Sequence, residues 1–183
     1  MADNSTLVLF GARGNLSRIK LIPGLFHLDE AGKLSDAMKI VSVGRQNISQ
    51  DEWENEIKDM LENKFKGHYD LKVFERFIKR NIYHATLPDD SNAFRNFAKL
   101  LHEDKQFPKN FAFFLSVRPS DFAKIVDQLA EENLLDEDKY WRRVLIEKPF
   151  GTNLKSAVEL QESISKHLKE NQIYRIDHYL GKS

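Results

Sequence analysis

The chain lacks cysteine, long apolar runs and any excess of charge of one sign. Without cysteine among its 183 residues it has neither disulfides nor a cysteine-ligated metal site, which fits a reducing cytoplasm. No segment approaches the roughly 20 apolar residues that a membrane helix needs, and the first residues do not resemble a secretory signal. We therefore expect a cytoplasmic protein that makes no contact with a membrane.

Charge is balanced, with 28 basic and 28 acidic residues. A chain without net charge has no general attraction for nucleic acid or for anionic membranes, so any anion must be bound locally. The composition, 41% hydrophobic and 31% charged, predicts one domain over residues 1–183 with a core of its own. We find no repeat, low-complexity tract or clear linker.

Short apolar runs alternate with helical patterns along the chain. Strands are predicted over residues 6–10, 38–44, 81–85, 110–116 and 144–147. Helices are predicted from Asn15 to Gly32, after a capping box of Ser49 and Glu52, over residues 91–101, after a cap at Ser120, and after Asn153. This alternation predicts an α/β fold, a doubly wound parallel sheet of the Rossmann type with helices on both faces.

The turn after the first predicted strand reads GARGNL, residues 11–16. Gly11 permits a tight turn, and Gly14 lets the backbone approach a pyrophosphate at the start of the next helix. The turn lacks the middle glycine of GxGxxG and the Lys-Ser/Thr of a P-loop. The same pattern therefore also fits a strand-to-helix turn that binds nothing.

The second predicted strand ends in VGRQ, residues 43–46. NAD-binding domains usually place an acidic residue here to hold the ribose 2′-hydroxyl, and this chain has none. The guanidinium of Arg45 would instead bind a 2′-phosphate, which favours NADP over NAD, and Arg13 and Arg18 would add positive charge nearby. The alternative is that these arginines are solvated surface cations.

Two further segments carry candidate site residues. The first is EKPFG, residues 147–151, which follows a buried strand. Lys148 would donate to a substrate hydroxyl, and Pro149 is a candidate cis proline beneath a nicotinamide; an ordinary exposed turn is the alternative. The second is RIDHYLGK, residues 175–182, which groups a carboxylate, an imidazole, a phenol and cations suited to a phosphorylated, hydroxylated ligand.

Three separated segments resemble the glucose-6-phosphate dehydrogenase family. Residues 11–26, GARGNLSRIKLIPGLF, are similar to the family segment GASGDLAKRKLIPALY; EKPFG is identical to a second signature, and RIDHYLGK is the active-site signature. With VGRQ at the second strand, the resemblance runs in order through the chain. The family oxidises β-D-glucose 6-phosphate to 6-phosphogluconolactone with NADP, at the entry to the oxidative pentose phosphate pathway.

The resemblance also implies roles for individual residues. Lys20 and Lys148 would lie between coenzyme and sugar, and Asp177 would orient a histidine general base from a second domain. These three residues would form the catalytic group, and no metal is implied. The sugar phosphate would be bound by His178, Tyr179 and Lys182, and the coenzyme by Gly11, Arg13, Gly14, Asn15, Leu16, Arg45 and Lys148.

Some positions depart from the family pattern. Asn15 replaces the usual aspartate, Ile19 replaces a basic residue, and Arg118 interrupts a small or prolyl stretch near the coenzyme. Because the sequence stops at Ser183, we expect the family's second domain, which forms homodimers, to be absent and the chain to bind NADP with weak or no turnover. The alternative is a non-catalytic paralogue that binds NADP(H) or pairs with a full-length subunit.

Overall fold

Six parallel strands form the centre of the structure, a computed structural model that describes residues 4–147 and 154–176. Their order in the sheet is β3-β2-β1-β4-β5-β6, and every neighbouring pair runs parallel. The predicted doubly wound α/β sheet is confirmed. The strands are β1 (Ser5–Phe10), β2 (Lys39–Gly44), β3 (Asn81–Ala85), β4 (Asn110–Leu115), β5 (Arg142–Glu147) and β6 (Ile173–Ile176).

Helices connect the strands. The first connection begins with a π-helical segment over Ser17–Leu21, which runs directly into α1, and a 3₁₀ turn over Glu170–Gln172 precedes β6. None of the helices in the described ranges is long and apolar enough to cross a membrane. The α-helices are α1 (Ile22–Glu30), α2 (Gln50–Phe65), α3 (Leu71–Arg80), α4 (Ser91–Glu103), α5 (Pro119–Glu131) and α6 (Leu154–Ser165). The helix α3 and the strand β6 were not predicted from the sequence.

The helix starts test the predicted caps. The capping box is confirmed: the Ser49 hydroxyl accepts from the Glu52 amide at 3.2 Å, and the Glu52 carboxylate accepts from the Ser49 amide at 2.8 Å. The predicted cap at Ser120 is wrong, because α5 begins at Pro119 with Arg118 at the cap position. Proline suits a first helical position, since its φ is already helical and its missing N–H needs no partner.

Successive residues of the central strand β1 bury side chains on opposite faces of the sheet. Val8 and Phe10 belong to the core formed with α4, α5 and α6, whereas Leu7 and Leu9 belong to the core formed with α1, α2 and α3. Side chains alternate along a strand, so both faces of β1 are covered only because helices pack on both sides. This explains why the strand reads as an unbroken apolar run.

The direction of winding reverses between β1 and β4. From β1 the chain crosses to β2 and β3 on one side, and from β4 it crosses to β5 and β6 on the other. In open α/β sheets the loops leaving the strands at such a point separate and leave a crevice beyond their carboxyl ends. The fold therefore places a cleft next to Gly11, the residue that follows β1.

Candidate functional site

A cleft of about 700 Å³ opens at the carboxyl ends of the first four strands. It lies at the reversal point, where this fold class binds its ligands. The turns that line it contribute Gly11, Arg13 and Gly14 after β1, Arg45 and Gln46 after β2, Thr86 and Pro88 after β3, and Val117 and Arg118 after β4. Four of the predicted coenzyme residues are thus brought together: Gly11, Arg13, Gly14 and Arg45.

The glycine turn is held by contacts with the ends of the two neighbouring strands, β2 and β4. Gly11 has φ +77°, and a Cβ there would lie 2.0 Å from the carbonyl oxygen of Ser116. Its amide donates to the Val43 carbonyl at 3.0 Å, and the Gly14 amide donates to the Gly11 carbonyl at 2.9 Å. Only glycine fits the first position, both for its backbone conformation and for the space available.

Gly14 contributes to the cleft in a different way. It is exposed and lines the cleft, and a Cβ there would lie 3.1 Å from the Gly11 carbonyl, which is tight but not prohibitive. Its own carbonyl accepts from the Arg18 amide at 3.0 Å, so the helical turn starts at once and Asn15 is already helical. The bare backbone of Gly14 therefore faces the cleft at the positive end of a helical segment.

Ser17 completes this turn, and its role was not predicted from the sequence. Its hydroxyl is buried and donates to the Gly11 carbonyl at 2.9 Å, with the Ser116 hydroxyl 3.2 Å away. The contact joins the glycine turn to the end of β4. The sequence shows only that a small polar residue lies one helical turn after Gly14. The partner that reveals its role, Ser116, lies far along the chain.

Arg45 occupies the end of β2, as predicted. Its side chain is exposed and lines the cleft, and among residues 4–147 and 154–176 it has no hydrogen-bond or ion-pair partner. The turn beneath it is fixed by Tyr83, whose hydroxyl donates to the Gln46 carbonyl at 2.7 Å. Gly44 makes this possible, since a Cβ there would lie 2.2 Å from the Tyr83 hydroxyl. Burial raises the pKa of Tyr83, so the phenol stays a donor at neutral pH.

Arg13 already has partners on the cleft wall. Its Nη2 lies 2.6 Å from Glu56 Oε1 and its Nε donates to Oε2 at 3.1 Å, while Nη1 donates to the side chain of Gln46. The hydrogen bond to Glu56 raises the pKa of Arg13. Arg18 shares the same carboxylate, with Nη1 3.2 Å from Oε2. One acidic residue thus binds both cations that flank the glycine turn.

The remaining predicted residues lie at the edge of the cleft or outside the described part of the chain. Asn15 and Leu16 form the first helical turn, and Lys20 is exposed on the π-helical segment outside the cleft lining. Arg118 lines the cleft with its Nε 3.7 Å from Asp121 Oδ2. The predicted residues that lie outside the described ranges are Lys148, Pro149, Asp177, His178, Tyr179 and Lys182.

The strands that lead to those segments are neighbours. β5 and β6 pair in parallel, with Glu147 in register with Ile176. Lys148 is the next residue after the first of these and Asp177 the next after the second. The sheet therefore delivers the starts of both sequence signatures to the same edge.

Comparison with known proteins identifies the family. A model of the glucose-6-phosphate dehydrogenase NAD-binding domain matches residues 8–183. The chain belongs to this family. The resemblance seen in the sequence is therefore confirmed, and the chain is an NAD(P)-binding domain of the glucose-6-phosphate dehydrogenase type.

Relatives and solved structures agree. Glucose-6-phosphate 1-dehydrogenase of Chlamydia pneumoniae is 39% identical over 183 residues, 96% of this chain and 36% of the relative. The enzyme of Leuconostoc mesenteroides is 36% identical across 100% of this chain and 37% of its own length. A solved glucose-6-phosphate dehydrogenase in complex with glucose-6-phosphate superposes with a TM-score of 0.86 at 33% identity, covering 100% of this chain and 39% of that one. The chain spans a little over a third of the length of these relatives.

Proposed function

We propose that the chain is the coenzyme domain of an NADP-dependent glucose-6-phosphate dehydrogenase, which oxidises glucose 6-phosphate to 6-phosphogluconolactone. NADP, when bound, would accept the hydride from C1 of the sugar. The observation that carries the choice of NADP is Arg45, whose guanidinium lines the cleft after β2 and has no hydrogen-bond or ion-pair partner within the described part of the chain. An acidic residue at that position would favour NAD.

The described residues fit a dinucleotide. Gly11 holds the turn closed against Ser116, and the exposed backbone of Gly14 offers an approach for the pyrophosphate at the positive end of the helical segment. Arg45 would bind a 2′-phosphate through two parallel hydrogen bonds, the geometry that a guanidinium favours. Arg13 lies on the same wall and extends the positive charge toward Gln46.

The substrate side of the proposal rests on the family signatures. We assign Lys20 and Lys148 to the region between coenzyme and sugar, Asp177 to orienting a general base, and His178, Tyr179 and Lys182 to the sugar phosphate. The pairing of β5 with β6 supports this assignment, since it starts both segments at one edge of the sheet. The homodimer that the resemblance implies and the cytoplasmic location that the composition indicates stay predictions.

A calorimetric titration of the purified chain with NADP and with NAD tests the coenzyme. We expect tighter binding of NADP, and we expect Arg45→Gln to weaken NADP binding about 10- to 100-fold, since hydrogen bonds between charged groups contribute roughly 1.5–3 kcal/mol. NAD binding should change little. Arg95→Gln is the matched control, because Arg95 lies on α4 outside the cleft lining. Equal affinity of the unaltered chain for both coenzymes would refute the role of Arg45.

The reaction is tested by transplanting the domain. Residues 1–183 would replace the equivalent domain of the Leuconostoc mesenteroides enzyme, whose length they cover to 37%. The chimera should reduce NADP when given glucose 6-phosphate, followed by absorbance at 340 nm. Lys148→Gln should lower that rate. A chimera that folds and binds NADP but leaves glucose 6-phosphate unoxidised would contradict the proposed reaction.

A further inference from the structure

Glu56 stands out because it binds both arginines of the glycine turn. It lies on α2, outside the cleft lining, and it is not part of any motif in the sequence. Its two carboxylate oxygens accept from Arg13, and one of them also lies within ion-pair distance of Arg18. Without this carboxylate, both guanidinium groups would lack their acidic partner next to the cleft.

The ion pair is exchangeable. The Arg13 side chain is 28% exposed and that of Glu56 is 20% exposed, so water reaches both groups. Ion pairs open to solvent contribute little to stability, about 0–1 kcal/mol. A phosphate dianion offers a guanidinium more charge and the same bidentate geometry as a carboxylate. A phosphate that reaches this wall therefore competes with Glu56 on favourable terms.

Arg13 is placed to meet a 2′-phosphate. Its Nη1 bonds the side chain of Gln46, which directly follows Arg45, so the guanidinium spans from the glycine turn to the end of β2. Arg13, Arg45 and Gln46 all line the cleft. With Glu56 bound to Arg13, the positive charge offered to a ligand at this point comes mainly from Arg45.

We propose that Glu56 sets the coenzyme selectivity of this site by competing with the 2′-phosphate of NADP for Arg13. The inference rests on the proposed coenzyme function. Glu56 would act as a positioning residue: it holds Arg13 on the wall in the absence of ligand and limits how strongly NADP is preferred over NAD. NAD has no 2′-phosphate, so its binding is affected far less by this exchange.

Glu56→Gln removes the negative charge and keeps the shape of the side chain. By competing for Arg13, Glu56 can weaken NADP binding by no more than the free energy of the Arg13–Glu56 pair, about 0–1 kcal/mol, and each 1.4 kcal/mol is tenfold in affinity. NADP binding should therefore tighten up to about fivefold, with less than about 1.5-fold change for NAD. Glu75→Gln is the matched control, since it removes the same charge from α3, away from the cleft lining.

The test is a set of calorimetric titrations of the 183-residue chain with NADP and NAD, in the unaltered, Glu56→Gln, Arg13→Gln and doubly substituted forms. The ratio of NADP to NAD affinity should rise in Glu56→Gln, and this rise should largely disappear when Arg13 is glutamine too. A ratio that stays constant or falls in Glu56→Gln would overturn the proposal. An equal rise of this ratio when Glu56→Gln is made in the Arg13→Gln background would also overturn the proposal. It would show that the charge of Glu56 acts on the phosphate directly and not through Arg13.

These outcomes separate this inference from the proposed function. If the unaltered chain prefers NADP through Arg45 and Glu56→Gln leaves the ratio unchanged, only the role of Glu56 is refuted. If the unaltered chain binds neither coenzyme, both proposals are refuted. Urea unfolding of each variant, measured beside the titrations, confirms that every chain compared is folded.

Discussion

Replacing Gly11 by alanine should destabilise the fold by about 2–5 kcal/mol. The residue has φ +77°, a conformation that costs a residue with a Cβ roughly 1–2 kcal/mol. The new methyl group would also sit 2.0 Å from the Ser116 carbonyl oxygen, so the end of β4 must move away. Overpacking of this kind adds about 1–3 kcal/mol.

A movement of the end of β4 would strain the hydrogen bonds at the point where the direction of winding reverses. The Ser116 amide donates to the Phe10 carbonyl at 3.0 Å, and the Gly11 amide donates to Val43 at 3.0 Å. A shift of Ser116 strains the first bond, and a shift of Gly11 strains the second. No rotation of a flexible side chain relieves the clash, because the contacted atom belongs to the backbone.

Urea unfolding followed by circular dichroism measures the loss in the free energy of unfolding. In a thermal melt of the same variant, the melting temperature should fall by about 4–20 °C for a chain of this size. Gly14→Ala is the matched control, since its φ is ordinary and its Cβ would contact the Gly11 carbonyl at 3.1 Å. We expect that control to cost less than about 1 kcal/mol. An unfolding free energy of Gly11→Ala within about 0.5 kcal/mol of that of the unaltered chain, or equal destabilisation of both variants, would refute this role of Gly11.

Two further changes test the packing beneath the site. Asn81→Leu should cost about 2–4 kcal/mol in urea unfolding, since the indole N–H of Trp53 and the hydroxyl of Ser42 both donate to its buried side-chain oxygen, at 3.0 and 2.8 Å; an unchanged midpoint would contradict this. Burial lowers the pKa of His84 below its usual value of about 6.5, so the unfolded chain takes up the proton first as the pH falls. The stability that neutral His84 contributes is complete above about pH 6.5 and is lost below it, and His84→Phe should reduce this loss in unfolding curves measured between pH 5 and 7. An identical pH dependence in the variant would argue against that role.

Position in the sheet did not decide which strands could be predicted. The central strand β4 contains the apolar run Phe111 to Leu115 and was predicted. Of the two edge strands, β3 was predicted although four of its five residues are only partly buried, whereas the four-residue β6 has exposed Tyr174 and Arg175 and shows no apolar run. The helix α3 was missed because Arg80 passes directly into Asn81 of β3, with no glycine or proline to separate the two elements.

The site residues also differ in how far the sequence could predict them. Gly11, Gly14 and Arg45 belong to local patterns, so their place at the carboxyl ends of β1 and β2 followed from the βα order. Glu56 and Ser116 reach the turn through contacts between residues far apart in the chain, and no local pattern indicates them. The roles assigned to Lys148 and Asp177 stay predictions.

The most direct test that NADP binds in this cleft is the amide spectrum of the isotopically labelled chain during titration with NADP. We predict that the largest amide shifts fall on Gly11, Gly14 and Arg45, with the residues after β4 next, and that NAD shifts the Arg45 amide much less. Shifts confined to residues outside the cleft, or the same shift of Arg45 with both coenzymes, would contradict it.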